Sequence, residues 1–140
     1  IIEDAGNGIS ITNFDVGGRL ATCNGNVVRR CKGFGIFAEA QTVITGNAVE
    51  SAIETGIALG WAFASKALTA ANNIVVGCGR GITFSVAEGA EPPMIVNNRI
   101  TGTRQEAIAA MKFHDLASSD LGLAGAELPP DAVISGNMVS

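Results

Sequence analysis

Apolar and polar residues alternate with a period of two in short segments along the whole chain. Two of the clearest are residues 8–12, GISIT, and residues 81–85, GITFS. Such alternation is the pattern of a β-strand with one buried face, whereas an amphipathic helix repeats its apolar positions every three to four residues. The segments are also short and bounded by Gly or Asn, as strands commonly are. The pattern predicts an all-β protein.

Two sequence markers recur along the chain. The first is an Asn that follows Gly or Asn and begins a short apolar segment, and it occurs at Asn26, Asn47, Asn73, Asn98 and Asn137. The second is an Ile, usually preceded by Gly, and it occurs at Ile9, Ile36, Ile57, Ile82 and Ile108. The Asn precedes the Ile by 9 or 10 residues wherever a repeat contains both, and the variable length follows the Ile. A constant module joined by variable loops is typical of a solenoid.

Three short strands fit into each repeat: one ends before the Asn, one follows it, and one begins at the Gly-Ile marker. We therefore predict one domain, residues 1–140, folded as a right-handed, three-sided parallel β-helix of about five rungs. Its three inward-facing walls follow by alternation from the markers. They are Cys23, Ile44, Ala70, Ile95 and Ile134; Val28, Val49, Val75, Ile100 and Val139; and the five marker isoleucines.

The recurring Asn has two predicted roles. It tolerates the positive φ that a sharp bend between strands needs, and its side-chain amide can bond to the equivalent amide one rung away. The sequence starts and stops within a rung, so we expect it to belong to a longer β-helix protein or to associate end to end through open strand edges. A long insertion, around residues 112–131, predicts a short helix at 117–123.

Composition and charge exclude several classes of partner. The chain is 47% apolar and 16% charged, which does not fit disorder. Its net charge is −4 without a basic stripe, which argues against nucleic acid, and no apolar run is long enough for a membrane helix. The three cysteines have no CxxC spacing, so neither a zinc site nor a disulfide framework is indicated, and no cofactor is implied. Cys31 and Cys78 fall two rungs apart, so we expect free thiols.

The chain resembles a family of twin-arginine-translocated, uncharacterised repeat proteins of bacteria. The resemblance rests on residues 8–14 (GISITNF), 17–20 (GGRL), 45–47 (TGN), 55–61 (TGIALGW) and 135–137 (SGN). It implies an exported, periplasmic protein of the pectin-lyase-like β-helix class, which also contains polysaccharide lyases and epimerases. The family carries no established catalytic residues, so the resemblance assigns none here.

The outer face of the Gly-Ile strand stack offers little for catalysis. Among the ten outward positions that follow the marker isoleucines, Glu39 is the one carboxylate. An acid/base pair or a calcium site needs more than one. No metal site is predicted.

Polar and aromatic residues collect at the end of this stack, four to six residues after each Ile. The set is Asn13, Asp15, Trp61, Glu88, Lys112 and His114, with Glu39 one step inside. An aromatic ring beside polar groups suits a sugar, which offers an apolar face and a ring of hydroxyls. We predict polysaccharide binding by Trp61, Asn13, Asp15, Glu39 and Glu88. The alternative is an ordinary solvated rim on which Trp61 folds over its own loop.

The candidates for catalysis at this rim are His114, Lys112 and Glu39. His114 is the only His and precedes Asp115, and a His beside a carboxylate can act as a general base. Adjacent residues of an extended chain seldom converge on one centre, so a structural role is the alternative. For the whole chain, two further interpretations stay open: a fragment of a polysaccharide lyase or epimerase, and a structural or assembly spacer.

Overall fold

The computed structural model describes residues 1–12 and 20–140, and in these ranges the chain forms strands and turns without a helix. The described residues form seventeen strands in three sheets. The first sheet contains β1 (Ile2–Glu3), β4 (Val27–Arg29), β7 (Ala48–Glu50), β10 (Ile74–Val76), β13 (Arg99–Thr101) and β17 (Met138–Val139). The second contains β2 (Ile9–Ile11), β5 (Phe34–Ala38), β8 (Thr55–Leu59), β11 (Arg80–Ser85), β14 (Ile108–Lys112) and β15 (Asp115–Leu116). The third contains β3 (Ala21–Asn24), β6 (Thr42–Thr45), β9 (Thr69–Ala71), β12 (Met94–Val96) and β16 (Val133–Ser135).

Consecutive turns of the chain stack in parallel register, which confirms the three-sided parallel β-helix. Each strand pairs with the equivalent strand of the next turn, and the one antiparallel pair among the described strands is β14 with β15. The register joins Val28 to Val49, Ile36 to Ile57 and Cys23 to Ile44, and the other wall positions follow in the predicted order. The three predicted walls are therefore the core. The described ranges contain no helix that could cross a membrane.

The five marker asparagines form one continuous hydrogen-bonded ladder. The side-chain Nδ2 of each of the first four donates to the Oδ1 of the next Asn along the helix axis, at 2.9 to 3.0 Å. The same Oδ1 also accepts the backbone N–H of the preceding ladder residue. Each of the four steps thus carries two bonds to one amide oxygen, which confirms the predicted ladder of Asn26, Asn47, Asn73, Asn98 and Asn137.

The positive φ at this corner belongs to the residue before each ladder Asn, so the predicted backbone role of the ladder Asn was wrong. Gly46 has φ 68° and Asn72 has φ 56°, and the equivalent residues of the other turns have the same sign. The Gly or Asn that precedes each marker therefore makes the bend. The ladder Asn is left in a conformation that directs its amide along the axis.

Packing explains why Gly precedes the marker Ile. A Cβ on Gly56 would lie 2.5 Å from the Val75 Cγ1, and one on Gly81 would lie 2.6 Å from the Ile100 Cγ2. Both clashes are with the first-sheet wall of the following turn. The second sheet can approach that wall only where the side chain is missing.

The predicted helix at residues 117–123 does not form. This segment instead runs along the outer edge of β14 and covers the end of the core, with Leu121 buried. The backbone N–H of Leu121 donates to the Ile108 carbonyl at 2.8 Å, and the Asp120 carboxylate accepts the N–H groups of Ala107 and Ile108 at 2.9 and 3.1 Å. Bonds to a strand edge have replaced helical bonds, because that edge would otherwise be unpaired.

The three cysteines are free thiols buried in the core, as predicted. Cys31 and Cys78 occupy equivalent corner positions two turns apart, and Ala52 occupies the same corner position in the turn between them. The backbone bonds show this equivalence: the Ile53 N–H donates to the Cys31 carbonyl, and the Gly79 N–H donates to the Ala52 carbonyl. Burial raises the pKa of all three thiols. They act as small apolar side chains.

Candidate functional site

A cleft of about 250 Å³ lies on the outer face of the second sheet. Three segments surround it: the loop after β8, the hairpin of β14 and β15, and the corner that leads into β8 and β11. Its lining is Phe34, Phe37, Ile53, Glu54, Thr55, Ala58, Gly60, Trp61, Arg80, Thr83, Phe84, Gln105, Met111, Phe113 and His114.

The floor of the cleft consists of outward positions of the sheet. Ala58 and Thr83 face each other across neighbouring strands and line the cleft. They are only 4% and 5% exposed, although the alternation places them outside the core. This sheet face is therefore covered by the surrounding segments and is not an open solvated surface.

One wall of the cleft is an aromatic cluster centred on Trp61. The His114 ring lies 4.7 Å from the Trp61 ring at an interplanar angle of 72°, and the Phe113 ring lies 5.6 Å away at 65°. The Ser85 hydroxyl donates to the Trp61 carbonyl at 3.1 Å and so ties the Trp61 loop to the end of β11. Edge-to-face contact holds the indole in place. Phe113 itself stays 45% exposed.

The second aromatic pair of the cleft is Phe34 with Phe37. Their rings stack at 5.9 Å and 26° on β5. The cleft thus has aromatic surface from two separate parts of the second sheet.

The hairpin that supplies Phe113 and His114 is tight. Lys112 pairs with Asp115 across it, so Phe113 and His114 are the two residues of the turn. Phe113 has φ 55°, a left-handed conformation that costs a non-glycine residue roughly 1–2 kcal/mol. The contact with Trp61 and the strand pairing together hold this conformation, and both turn side chains reach the cleft.

The polar part of the lining gathers at the opposite end of the strands. Arg80 donates from Nε to the Glu106 carboxylate at 2.7 Å, with both side chains about one-fifth exposed. Glu54 and Gln105 are exposed and line the cleft beside Arg80. Donors and acceptors therefore stand next to apolar rings, the mixture that small-molecule sites use to fix orientation.

The structure brings together two of the predicted site residues, Trp61 and His114. The predicted residues Glu39, Glu88 and Lys112 do not line the cleft. Glu88 and Lys112 are exposed, and Glu39 is half-buried. The predicted residues Asn13 and Asp15 lie outside the described residues.

Several lining residues were not predicted because they precede the Gly-Ile marker. The predicted site residues were taken from positions that follow the marker. Phe34, Thr55 and Arg80 occupy one register position, two residues before the marker Ile. Glu106 stands at the same offset in the next turn, 26 residues beyond Arg80, which is also the step from Ile82 to Ile108. That match of opposite charges at one repeat spacing was the available signal.

The described residues of the cleft do not form an acid/base pair of carboxylates. Glu54 is the one carboxylate in the described lining, and Asp115, adjacent to His114, is not part of it. Retaining and inverting glycosidases both need two carboxyl groups flanking the scissile bond. Within residues 1–12 and 20–140, no cluster of three His, Cys, Asp or Glu side chains forms a metal site.

Fold and cleft together define this chain as a parallel β-helix with an aromatic-lined surface cleft. Comparison with protein-family models, with curated proteins and with solved structures found no match to the chain.

Proposed function

We propose that this β-helix binds a segment of polysaccharide in the cleft and holds it without modifying it. The observation that carries the proposal is the Trp61 cluster, an aromatic surface over a covered sheet face, with charged and amide side chains at the other end of the same cleft. Sugars offer apolar C–H faces to aromatic rings and hydroxyls to polar groups, so one ligand engages both parts of the lining.

The size and openness of the cleft support a polymer more than an enclosed small molecule. At about 250 Å³ it is below the roughly 300–1,000 Å³ of typical drug-sized pockets. A polymer would place a short segment here and extend beyond it along the solenoid. With few enclosed contacts, we expect a Kd in the micromolar to millimolar range, about −8 to −4 kcal/mol.

Fluorescence titration tests the proposal, because Trp61 is the only Trp in the chain. Binding is expected to shift its emission as oligosaccharide is added. A Trp61→Ala variant, followed by calorimetry, is expected to lose at least about tenfold in affinity, since buried aromatic anchors dominate binding energies.

Phe63→Ala is the matched control. Phe63 belongs to the same loop as Trp61 and is 66% exposed, but it does not line the cleft. Its replacement should leave the titration unchanged. A panel of neutral and acidic oligosaccharides that neither shifts the emission nor releases heat refutes the proposal.

Export to the periplasm by the twin-arginine route belongs to the same proposal. It is supported by the core, whose three buried thiols are unpaired, so folding needs no disulfide before or after translocation. Fractionation of cells that express the whole gene product tests this step. The product should move from the cytoplasm to the periplasm only in cells with a working twin-arginine translocase.

A further inference from the structure

The cleft has one cationic side chain among its described lining residues, and that cation is already neutralised. Arg80 points its Nε at Glu106, one turn along the solenoid, at 2.7 Å. A charge-assisted bond of this length between side chains that are four-fifths buried is an ordered pair. Arg80 is therefore not an unpaired cation available to an anionic ligand.

The remaining formal charge of the cleft is negative. Glu54 adds an exposed carboxylate to the lining. Among the lining residues and the partner of Arg80, one positive charge, on Arg80, stands against two negative charges, on Glu54 and Glu106. Arg104 lies outside the lining and donates to the Ile53 and Gly77 carbonyls at 3.2 and 3.3 Å. The chain as a whole carries a net charge of −4, so its field does not offset the local sign.

The other polar groups of the lining are uncharged and suit hydroxyls. The exposed Gln105 amide both donates and accepts hydrogen bonds, and the Thr55 and Thr83 side chains are hydroxyls themselves. A sugar hydroxyl likewise donates and accepts. A uronate carboxylate only accepts, and it would meet Glu54 as a like charge, which is unfavourable at a binding surface.

We infer that the cleft selects neutral sugar polymers and disfavours polyuronates. The inference rests on the proposed function, because it names the class of ligand for the same site. It follows from the Arg80–Glu106 pair and from Glu54, whereas the proposed function follows from the aromatic cluster.

Two oligosaccharides of the same linkage test the inference. β-1,4-Mannohexaose and β-1,4-hexamannuronate differ only at C6, which is a hydroxymethyl group in one and a carboxylate in the other. Trp61 emission is expected to report at least about tenfold tighter binding of the neutral hexamer at 20 mM NaCl. This difference in affinity should be smaller at 200 mM NaCl, because salt screens the repulsion between Glu54 and the uronate carboxylates; the Debye length is already near 10 Å at 0.1 M.

Charge-neutralising variants test the residues. Glu106→Gln releases Arg80, and Glu54→Gln removes the exposed carboxylate without disturbing that pair. Each is expected to raise the affinity for hexamannuronate several-fold and to leave mannohexaose within about twofold. Glu50→Gln is the control, since Glu50 pairs with Arg29 at 3.6 Å on the first sheet. Thermal unfolding checks that each variant is folded, and Glu54→Gln alone decides the matter if Glu106→Gln is not.

The outcomes separate the two claims. Tighter binding of mannohexaose supports the inference when the variants raise the affinity for hexamannuronate and leave that for mannohexaose unchanged. Equal or tighter binding of hexamannuronate overturns it and leaves the proposed function standing. Binding of neither hexamer, nor of their cello- and galacto-configured counterparts, overturns both.

Discussion

Replacing Asn73 with Ala removes a side chain that connects three consecutive turns of the solenoid. Its Oδ1 accepts the backbone N–H of Asn47 at 3.0 Å, and its Nδ2 donates to the Ile44 carbonyl at 3.0 Å. Asn73 itself is 1% exposed, so water does not replace it without reorganisation. The Asn98 Oδ1 is not orphaned, because the backbone N–H of Asn73 still donates to it at 3.0 Å.

Two buried backbone groups are thus left without this partner. Each unsatisfied buried group costs about 1–3 kcal/mol, so for two groups we expect Asn73→Ala to lower the free energy of unfolding by about 2–6 kcal/mol. That is a large part of the roughly 5–15 kcal/mol of a typical domain. The midpoint of thermal unfolding should fall by roughly 6–18 °C, at about 3 °C per kcal/mol for a chain near this size.

Asn26→Ala is the matched control at the end of the ladder. Asn26 donates to the Asn47 Oδ1 from both its side chain and its backbone, and the backbone bond, at 2.9 Å, survives the substitution. No described residue donates to the Asn26 Oδ1, so no buried backbone group loses its partner. The other groups that lose a donor are the Cys23 Sγ, a weak acceptor, and the Asn24 carbonyl. We expect a loss of only about 0.5–1 kcal/mol. Urea unfolding followed by circular dichroism measures both, and equal losses would refute the directional ladder.

Two further predictions concern the insertion and the thiols. Asp120→Ala removes the acceptor of the Ala107, Ile108 and Gly122 N–H groups and should lower the free energy of unfolding in urea by about 2–4 kcal/mol. Glu127 is exposed in the same insertion, and Glu127→Ala should change this free energy very little. Similar losses in the two variants would contradict a capping role for Asp120. Burial raises the pKa of all three thiols above the ordinary 9.0, so their contribution to stability is fully present below about pH 9 and is lost as the pH rises through the folded values. Unfolding measured from pH 7 to 11 should show this fall, and Cys78→Ala should flatten it; rapid reaction of the native thiols with iodoacetamide at pH 8 would contradict their burial.

The core could be predicted from the sequence because its information is periodic. Each inward position recurs at a constant offset from a marker, and a shift of one residue would have turned a wall such as Ile36, Ile57 and Ile82 toward solvent. The register therefore had one consistent solution. The reason for Gly before each of these isoleucines was not visible, since it depends on the distance to the first-sheet wall of the next turn.

The details that were wrong share a different origin. The bend at Gly46 and Asn72 was attributed to the following Asn, because both residues of the pair favour turns and only φ values distinguish them. The segment at 117–123, ASSDLGL, has only one Ala and two Leu as good helix formers. β14 lacks a next parallel strand, and its free N–H and C=O groups bind that segment. An unpaired edge therefore decided the conformation of a segment with weak helix propensity.

The cleft as a whole was not predicted, because it forms where the chain departs from the repeat. Trp61 lies in a loop that lengthens one turn, and Phe113 with His114 lies in the only described hairpin that reverses direction, so neither position has a periodic counterpart that would align them. Trp61 and His114 could be predicted because both follow a marker Ile. Phe34 and Arg80 were not predicted, because they line the same cleft from the other end of their strands. In a solenoid, the repeat therefore identifies the scaffold, and departures from it on neighbouring turns are where a site should be sought.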